Sequence, residues 1–249
     1  MIRAIIFDFN GVLVDDEAVH FELFREVLAE EGITITERQY HERYLGYDDR
    51  GCFAAVLDDH QHPIDDQNLD ELVERKARRY VRVADKGLRY FPHAAETLKT
   101  LAVHWPLAIC SGALRAEIEY ALEHLNCRDC ITGIIAAEDA HKCKPDPAGY
   151  LQALDLLQDR GRGRAVNDPV VGSRECLVVE DSLAGVISAK AAGMWAVGIS
   201  HTYTADQLLE SGADTVIHSL SVLTPEWIRD GKRWRPDVAR SSSFSGQSG

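Results

Sequence analysis

The sequence predicts an α/β protein: a doubly wound parallel sheet with an inserted all-helical segment. Three observations lead there. Short apolar runs alternate with helix-patterned stretches along most of the chain. Polar residues capable of chemistry directly follow several of those runs, as they do beyond the carboxyl ends of strands in such sheets. One interval, residues 16–88, breaks the alternation and holds no strand-like run.

The first strand is read at 3–7 (RAIIF), ending on Asp8 and followed by Asn10-Gly11. The helical block comes next, with helix-patterned stretches at 17–31, 36–45, 50–60 and 66–85. The last of these carries Leu69, Leu72, Val73, Lys76, Tyr80 and Val83 at helical spacing. A helical block directly after the first strand reads as a cap or lid, with Asp15 at its hinge. Alternation then resumes: helix 93–103, strand 107–110 (LAIC) leading into Ser111-Gly112, helix 114–125, and strand 131–136 (ITGIIA). Helix 147–158, strand 176–179 (CLVV) leading into Glu180-Asp181-Ser182, and helix 183–192 follow. Strand 195–199 (WAVGI), helix 205–211 and strand 215–217 (TVI) complete the series. The expected division is a core of 1–15 and 89–230, a cap of 16–88, an exposed loop at 159–174 and a disordered tail at 231–249.

Composition narrows the function. The chain has 249 residues and a net charge of −13, which argues against a nucleic-acid partner because no basic face is on offer. An anionic substrate stays open, since a metal and a few local cations can dominate one pocket. The six cysteines have no framework spacing; Cys127 and Cys130 form a lone C-x-x-C without a second pair, and Cys110 and Cys176 read as core thiols. No signal-peptide pattern opens the chain and no apolar run is long enough for a bilayer. A cytoplasmic protein without a membrane partner, monomeric or weakly dimeric, is the expectation.

Four motifs fall after strand ends: Asp8-Phe9-Asn10-Gly11, Ser111-Gly112, Lys144-Pro145-Asp146-Pro147 and Glu180-Asp181-Ser182. Each has an ordinary alternative. Asp8 could cap a turn, Ser111-Gly112 could be a plain strand-to-helix turn, and the prolines could simply start a helix. The Glu180-Asp181-Ser182 run could cap the helix that follows. Together they suit phosphoryl transfer, which needs a nucleophile, a cation on the phosphate and donors on its oxygens.

The order of the motifs, with the helical insert after the first, resembles the haloacid dehalogenase superfamily. Within it the chain is similar to the branch with a small helical cap, which includes sugar-phosphate phosphatases and β-phosphoglucomutase. The resemblance spans about residues 1–220, apart from the 159–174 loop. It implies Asp8 as a nucleophile that forms an aspartyl-phosphate on a small phosphorylated metabolite. It implies Mg²⁺ held by Asp8, the Asn10 backbone carbonyl, Glu180 and Asp181. Ser111 and the Gly112 amide would hydrogen-bond the phosphoryl group, and Lys144 would place a cation on it. In the cap, His20, Arg50 and Lys76 are expected to face substrate, Arg50 being one residue out of register. Their alternative is a solvated charged face, since Arg75, Arg78 and Arg79 surround Lys76.

One position departs from the pattern. Asn10 stands where the superfamily's phosphatases and mutases carry an aspartate that protonates the leaving oxygen and later activates the acceptor. An amide has no proton to exchange near neutrality. Four readings follow: an introduced Asp→Asn change, a working phosphatase or phosphotransferase that borrows an acid such as His20, a different chemistry on the same nucleophile, or a silent member that only binds ligand. Dehalogenation would leave the Glu180–Asp181 pair without a purpose, and phosphonate cleavage would want a lysine earlier in the cap. A mutase acting on a bisphosphate is the further alternative to a phosphatase.

Overall fold

The computed structural model describes residues 1–140, 142–160 and 170–231. Most of the expected 159–174 loop and nearly all of the 231–249 tail lie outside the described residues. Six strands form one sheet: β1 (Ala4–Phe7), β2 (Leu107–Cys110), β3 (Ile131–Ile135), β4 (Cys176–Glu180), β5 (Trp195–Ile199) and β6 (Thr215–Ile217). All pairings are parallel and the spatial order is β3-β2-β1-β4-β5-β6. The order reverses beside β1, and the crevice at such a reversal, past the carboxyl ends of the strands, is where ligands bind.

Each central strand is apolar on both faces because both faces are covered. Ile5 and Phe7 pack with Leu107, Ile109, Leu177 and Val179 on one side. Ala4 and Ile6 pack with Ala108, Cys110, Cys176, Val178 and Ala196 on the other. The register confirms this layering, with Phe7 opposite Ile109 on one neighbour and Val179 on the other. The covering helices are α5 (Ala94–Ala102), α6 (Arg115–His124), α7 (Ala148–Arg160), α8 (Leu183–Ala191), α9 (Ala205–Glu210) and α10 (Pro225–Asp230).

Between β1 and β2 lie α1 (Glu17–Glu30), α2 (Glu37–Gln39), α3 (Asp49–Asp59) and α4 (Asp66–Ala84). They have an apolar core of their own, in which Phe24, Leu28, Tyr40, Phe53, Val56 and Leu72 take part. The chain leaves and rejoins the sheet side by side: the Asp15 amide donates to the Arg89 carbonyl at 2.9 Å, and the two side chains pair at 3.0 Å. No helix among the described residues is long and apolar enough to cross a membrane.

Two elements differ from the sequence expectation. The helix expected at 36–45 is a single turn capped by Thr36 and Gln39, which widens into a π-type turn at Tyr40–Tyr44. That wider turn lets both tyrosines enter the apolar core. Helix α10 was not expected, although its Thr224 cap, Pro225 at the first position and Glu226 behind it are a legible start signal.

Candidate active site

The floor of the cleft is built from strand ends. Asp8 follows β1, and its amide donates to the Val179 carbonyl at 3.0 Å, which locks it beside β4. Glu180 ends β4 and Asp181 follows it. Ligand oxygens of Asp8, Glu180 and Asp181 lie within 4.8 Å of one another, and all three residues are buried. Lys144 bridges the group, donating to Asp8 Oδ1 at 2.7 Å and to Glu180 Oε1 at 2.5 Å.

Glycines permit this crowding. Gly11 has a φ of +73°, and a Cβ there would lie 2.0 Å from Asp181 Oδ2. At Gly185 a Cβ would lie 1.6 Å from Glu180 Oε1. Gly11 and Gly185 are therefore imposed by the carboxylates they face.

Three carboxylates share one ammonium, and their proton affinities register it. Burial, aided by Glu180 and opposed by Lys144, pushes the Asp8 carboxyl up to about 6. Asp181 is held well above the ordinary carboxylate range by burial and by the charges of Glu180 and Asp8. Burial works to lower the proton affinity of Lys144, but Asp8 and Glu180 outweigh it and keep the ammonium charged. Glu180 is the best satisfied: Lys144 and the Tyr150 hydroxyl (2.8 Å) bind one oxygen, and the Ser182 amide and hydroxyl (both 2.9 Å) bind the other. Thr202 donates to Asp181. Buried, all-oxygen and short of positive charge, this donor set fits a hard divalent cation such as Mg²⁺ and lacks the nitrogen and sulfur ligands that favour zinc.

Ser111 and Gly112 line the same cleft. The Ser111 amide donates to the Ile135 carbonyl at 3.0 Å, and its hydroxyl oxygen accepts from the Ala113 amide at 3.2 Å. That hydroxyl also faces Asn10 Oδ1 at 3.5 Å, the outer limit of a hydrogen bond.

Asn10 turns its other end toward the cap. Its Nδ2 donates to both oxygens of Asp16, at 3.0 and 3.1 Å, and lies 3.2 Å from His20 Nε2. Tyr80 donates to Asp16 at 2.6 Å, and His20 Nε2 reaches Asp16 at 3.2 Å. Burial opposes ionisation of Asp16, but the His20, Asn10 and Tyr80 partners outweigh it and hold the carboxyl down at about 2. Lys76 Nζ lies 2.7 Å from His20 Nδ1 and 2.6 Å from Asp49 Oδ1. An ammonium can only donate, so Nδ1 accepts and the His20 proton sits on Nε2, toward Asp16.

The residues expected to face substrate from the cap divide. His20 lines the cleft. Lys76 is fully buried behind it, on the same stripe of α4 as Leu69, Leu72 and Tyr80. Arg50 is half-buried and paired with Asp66 and Asp70, and does not line the cleft. Its neighbour Asp49 takes the inward position. Asp16, Asp49, Glu117, Tyr150 and Thr202 complete the two charge networks without having been singled out in the sequence. Among them only Asp16, next to the hinge residue and four before His20, carried a readable signal.

Comparison with known proteins agrees with this geometry. A phosphorylated carbohydrates phosphatase of Thermotoga maritima is 27% identical over 224 residues, covering 89% of this chain and 96% of the relative. A bifunctional riboflavin kinase/FMN phosphatase of Arabidopsis thaliana is 26% identical over 224 residues, 87% of this chain; the chain spans about half (53%) of that longer relative. The crystal structure of β-phosphoglucomutase from Clostridium difficile has the same fold, with a TM-score of 0.79 at 22% identity, covering 96% of this chain and 100% of that one. A family profile described as haloacid dehalogenase-like hydrolase matches residues 5–199. The chain belongs to the haloacid dehalogenase-like hydrolase family.

Proposed function

We propose that this chain is a Mg²⁺-dependent phosphatase acting on a small phosphomonoester of the sugar-phosphate kind, with Asp8 as nucleophile and residues 16–88 as the cap that closes over the substrate. The observation that carries the reading is the Asp8–Lys144–Glu180–Asp181 cluster at the floor of the cleft. Asp8, Glu180, Asp181 and the Asn10 backbone carbonyl would hold Mg²⁺, which supplies charge neutralisation on the phosphate oxygens.

A carboxylate oxygen of Asp8 attacks phosphorus, and the bond to the alcohol oxygen breaks, leaving an aspartyl-phosphate. Ser111, the Gly112 amide and Lys144 hold the phosphoryl oxygens as charge spreads over them. The departing alkoxide takes a proton. Water then attacks the same phosphorus, releases the Asp8 carboxylate and inorganic phosphate, and gives up a proton. Asn10 can carry neither proton, because an amide does not exchange one near neutrality, and its Nδ2 is held by Asp16. His20 lines the cleft within 3.2 Å of that amide, and Asp16 backs its Nε2 proton. In this reading His20 carries the proton that Asn10 cannot: its Nε2–H turns from Asp16 to the departing oxygen, and the emptied Nε2 then takes the proton of the attacking water.

The test is phosphate release from a panel of sugar monophosphates with Mg²⁺, together with intact mass after exposure to a phosphodonor. Asp8→Ala abolishes release and any phosphoryl gain. His20→Gln slows release by about 10²-fold, and Asn10→Asp restores it in that background, general acid–base help being worth about 10²–10⁴-fold. Release that survives Asp8→Ala would sink the nucleophile; an unchanged rate in His20→Gln would sink the proton route.

A further inference from the structure

The substrate preference of this cleft, which rests on the phosphoryl-transfer reading above, is written in its cap half. There the wall is formed by Glu17, His20, Phe24, Tyr40, Asp48 and Asp49, with no lysine or arginine of the described cap residues among the lining. The cations that the sequence offers are committed elsewhere. Arg50 pairs with Asp66 and Asp70 on the outer surface. Lys76 is fully buried, bound to Asp49 and His20, with its ammonium 4.6 Å from the centre of the Phe24 ring. On the core side, Lys144 serves Asp8 and Glu180, and Lys142 pairs with Asp146 at 3.2 Å.

The cap carboxylates stand close to the phosphate end. A Cβ on Gly112 would lie 3.4 Å from the Asp48 Cβ, and the Cys143 thiol donates to Asp48 Oδ2 at 2.9 Å. Glu17 accepts from the Tyr40 hydroxyl at 2.5 Å and lines the cleft. Asp49 Oδ2 is buried and accepts no hydrogen bond, so the wall holds an unused acceptor. A second phosphate placed against this wall would meet like charge with no lysine or arginine of the described cap residues to offset its lost hydration. A group that donates hydrogen bonds, and an ammonium most of all, would meet the carboxylates of this wall.

We infer that the cleft selects a monophosphate whose far end carries hydrogen-bond donors, an aminosugar phosphate before a neutral one, and rejects a bisphosphate. The same phosphoryl machinery is thereby directed to hydrolysis of a monoester, not to exchange between two phosphorylated positions of one sugar.

Calorimetric titration of the full chain with Mg²⁺ tests this with three probes: glucosamine 6-phosphate, glucose 6-phosphate and glucose 1,6-bisphosphate. The expected order is the aminosugar tightest and the bisphosphate weakest, at least about tenfold below glucose 6-phosphate. The double variant Glu17→Gln with Asp48→Asn brings the three within about threefold of one another. It keeps the oxygens that accept from Tyr40 and from the Gly51 amide, and its melting curve checks that the fold persists. A bisphosphate that binds as well as glucose 6-phosphate, or an order unmoved by the double variant, overturns the preference and leaves the phosphatase reading standing. Failure of all three probes to bind overturns both.

Discussion

Two lysines, Lys76 fully buried and Lys144 partly buried, anchor two clusters of carboxylates in this molecule, and they behave differently. Lys144 sits in the core with Asp8, Glu180 and Asp181 at strand ends. Lys76 sits in the cap with Asp49 against it, His20 beside it, and Asp16 and Glu117 close enough to act through their charges. In the core cluster burial pushes Asp8 and Asp181 toward the protonated form, so the group is short of positive charge. In the cap cluster Asp16 has three donors and is held down at about 2, while burial pushes Glu117 up to about 7. The first cluster faces the cleft; the second holds helices α1, α3 and α4 to the hinge and keeps unpartnered oxygens on Asp49 and Glu117. Composition alone does not separate them. The difference lies in where the donors fall: on Glu180 in the core and on Asp16 in the cap.

The largest effect expected from breaking this contrast is on the cap. Lys76→Met leaves Asp49 without its only cation among the described residues, and removal of one partner from a buried pair costs about 3–5 kcal/mol. A urea titration should show the midpoint fall accordingly; an unchanged midpoint would mean that the pair is not structural.

The core responds with the opposite sign. Asp181→Asn removes one of three crowded charges, so the metal-free protein gains stability, about 0.5–2 kcal/mol, while its response to Mg²⁺ falls away. The pH dependence follows the same logic. Asp8 has a folded proton affinity raised from 3.8 to about 6, so its contribution to stability is fully present below 3.8 and is lost as pH rises through about 6. Mg²⁺ must displace that proton, so the rise in Tm on adding Mg²⁺ should be larger near pH 7.5 than near pH 5.5. A rise that grows as pH falls would contradict the assignment.

The smallest effect is expected at Arg50. Exposed ion pairs with Asp66 and Asp70 are worth about 0–1 kcal/mol, and Arg50→Ala should leave kcat/KM on a sugar monophosphate unchanged. A large rise in KM would return Arg50 to the substrate and undo the account of the cap wall.

Legibility in the sequence follows the same division. The six strands and the motifs behind them were readable because a parallel strand buried on both faces is a solid apolar run, and its chemistry comes in the next residue or two. Lys144 and Asp181 were legible through the resemblance of their motifs to the family. The cap hid its logic. In ERKARRY four basic residues look alike, yet α4 turns Lys76 inward while Arg75, Arg78 and Arg79 meet Glu30, Glu31 and Glu74 outside. A shift of one residue on α3 separates Asp49, which faces the cleft, from Arg50, which does not. Tyr150, Thr202 and Glu117 act on residues far from them in sequence, and no local pattern announces that.

The side-by-side crossing at Asp15 and Arg89 has a consequence for how such a molecule can be rebuilt. Two chain ends already 2.9 Å apart, amide to carbonyl, form a junction that a different insert could occupy without reshaping the sheet. A graft would still inherit obligations written on the host. Asn10 presents an amide that expects an Asp16-like acceptor, and Glu117 of α6 carries a buried, unpartnered oxygen within the electrostatic reach of Lys76. The junction is permissive in backbone and selective in charge, so exchange of specificity modules on this scaffold is limited by two polar side chains of the host, not by the seam.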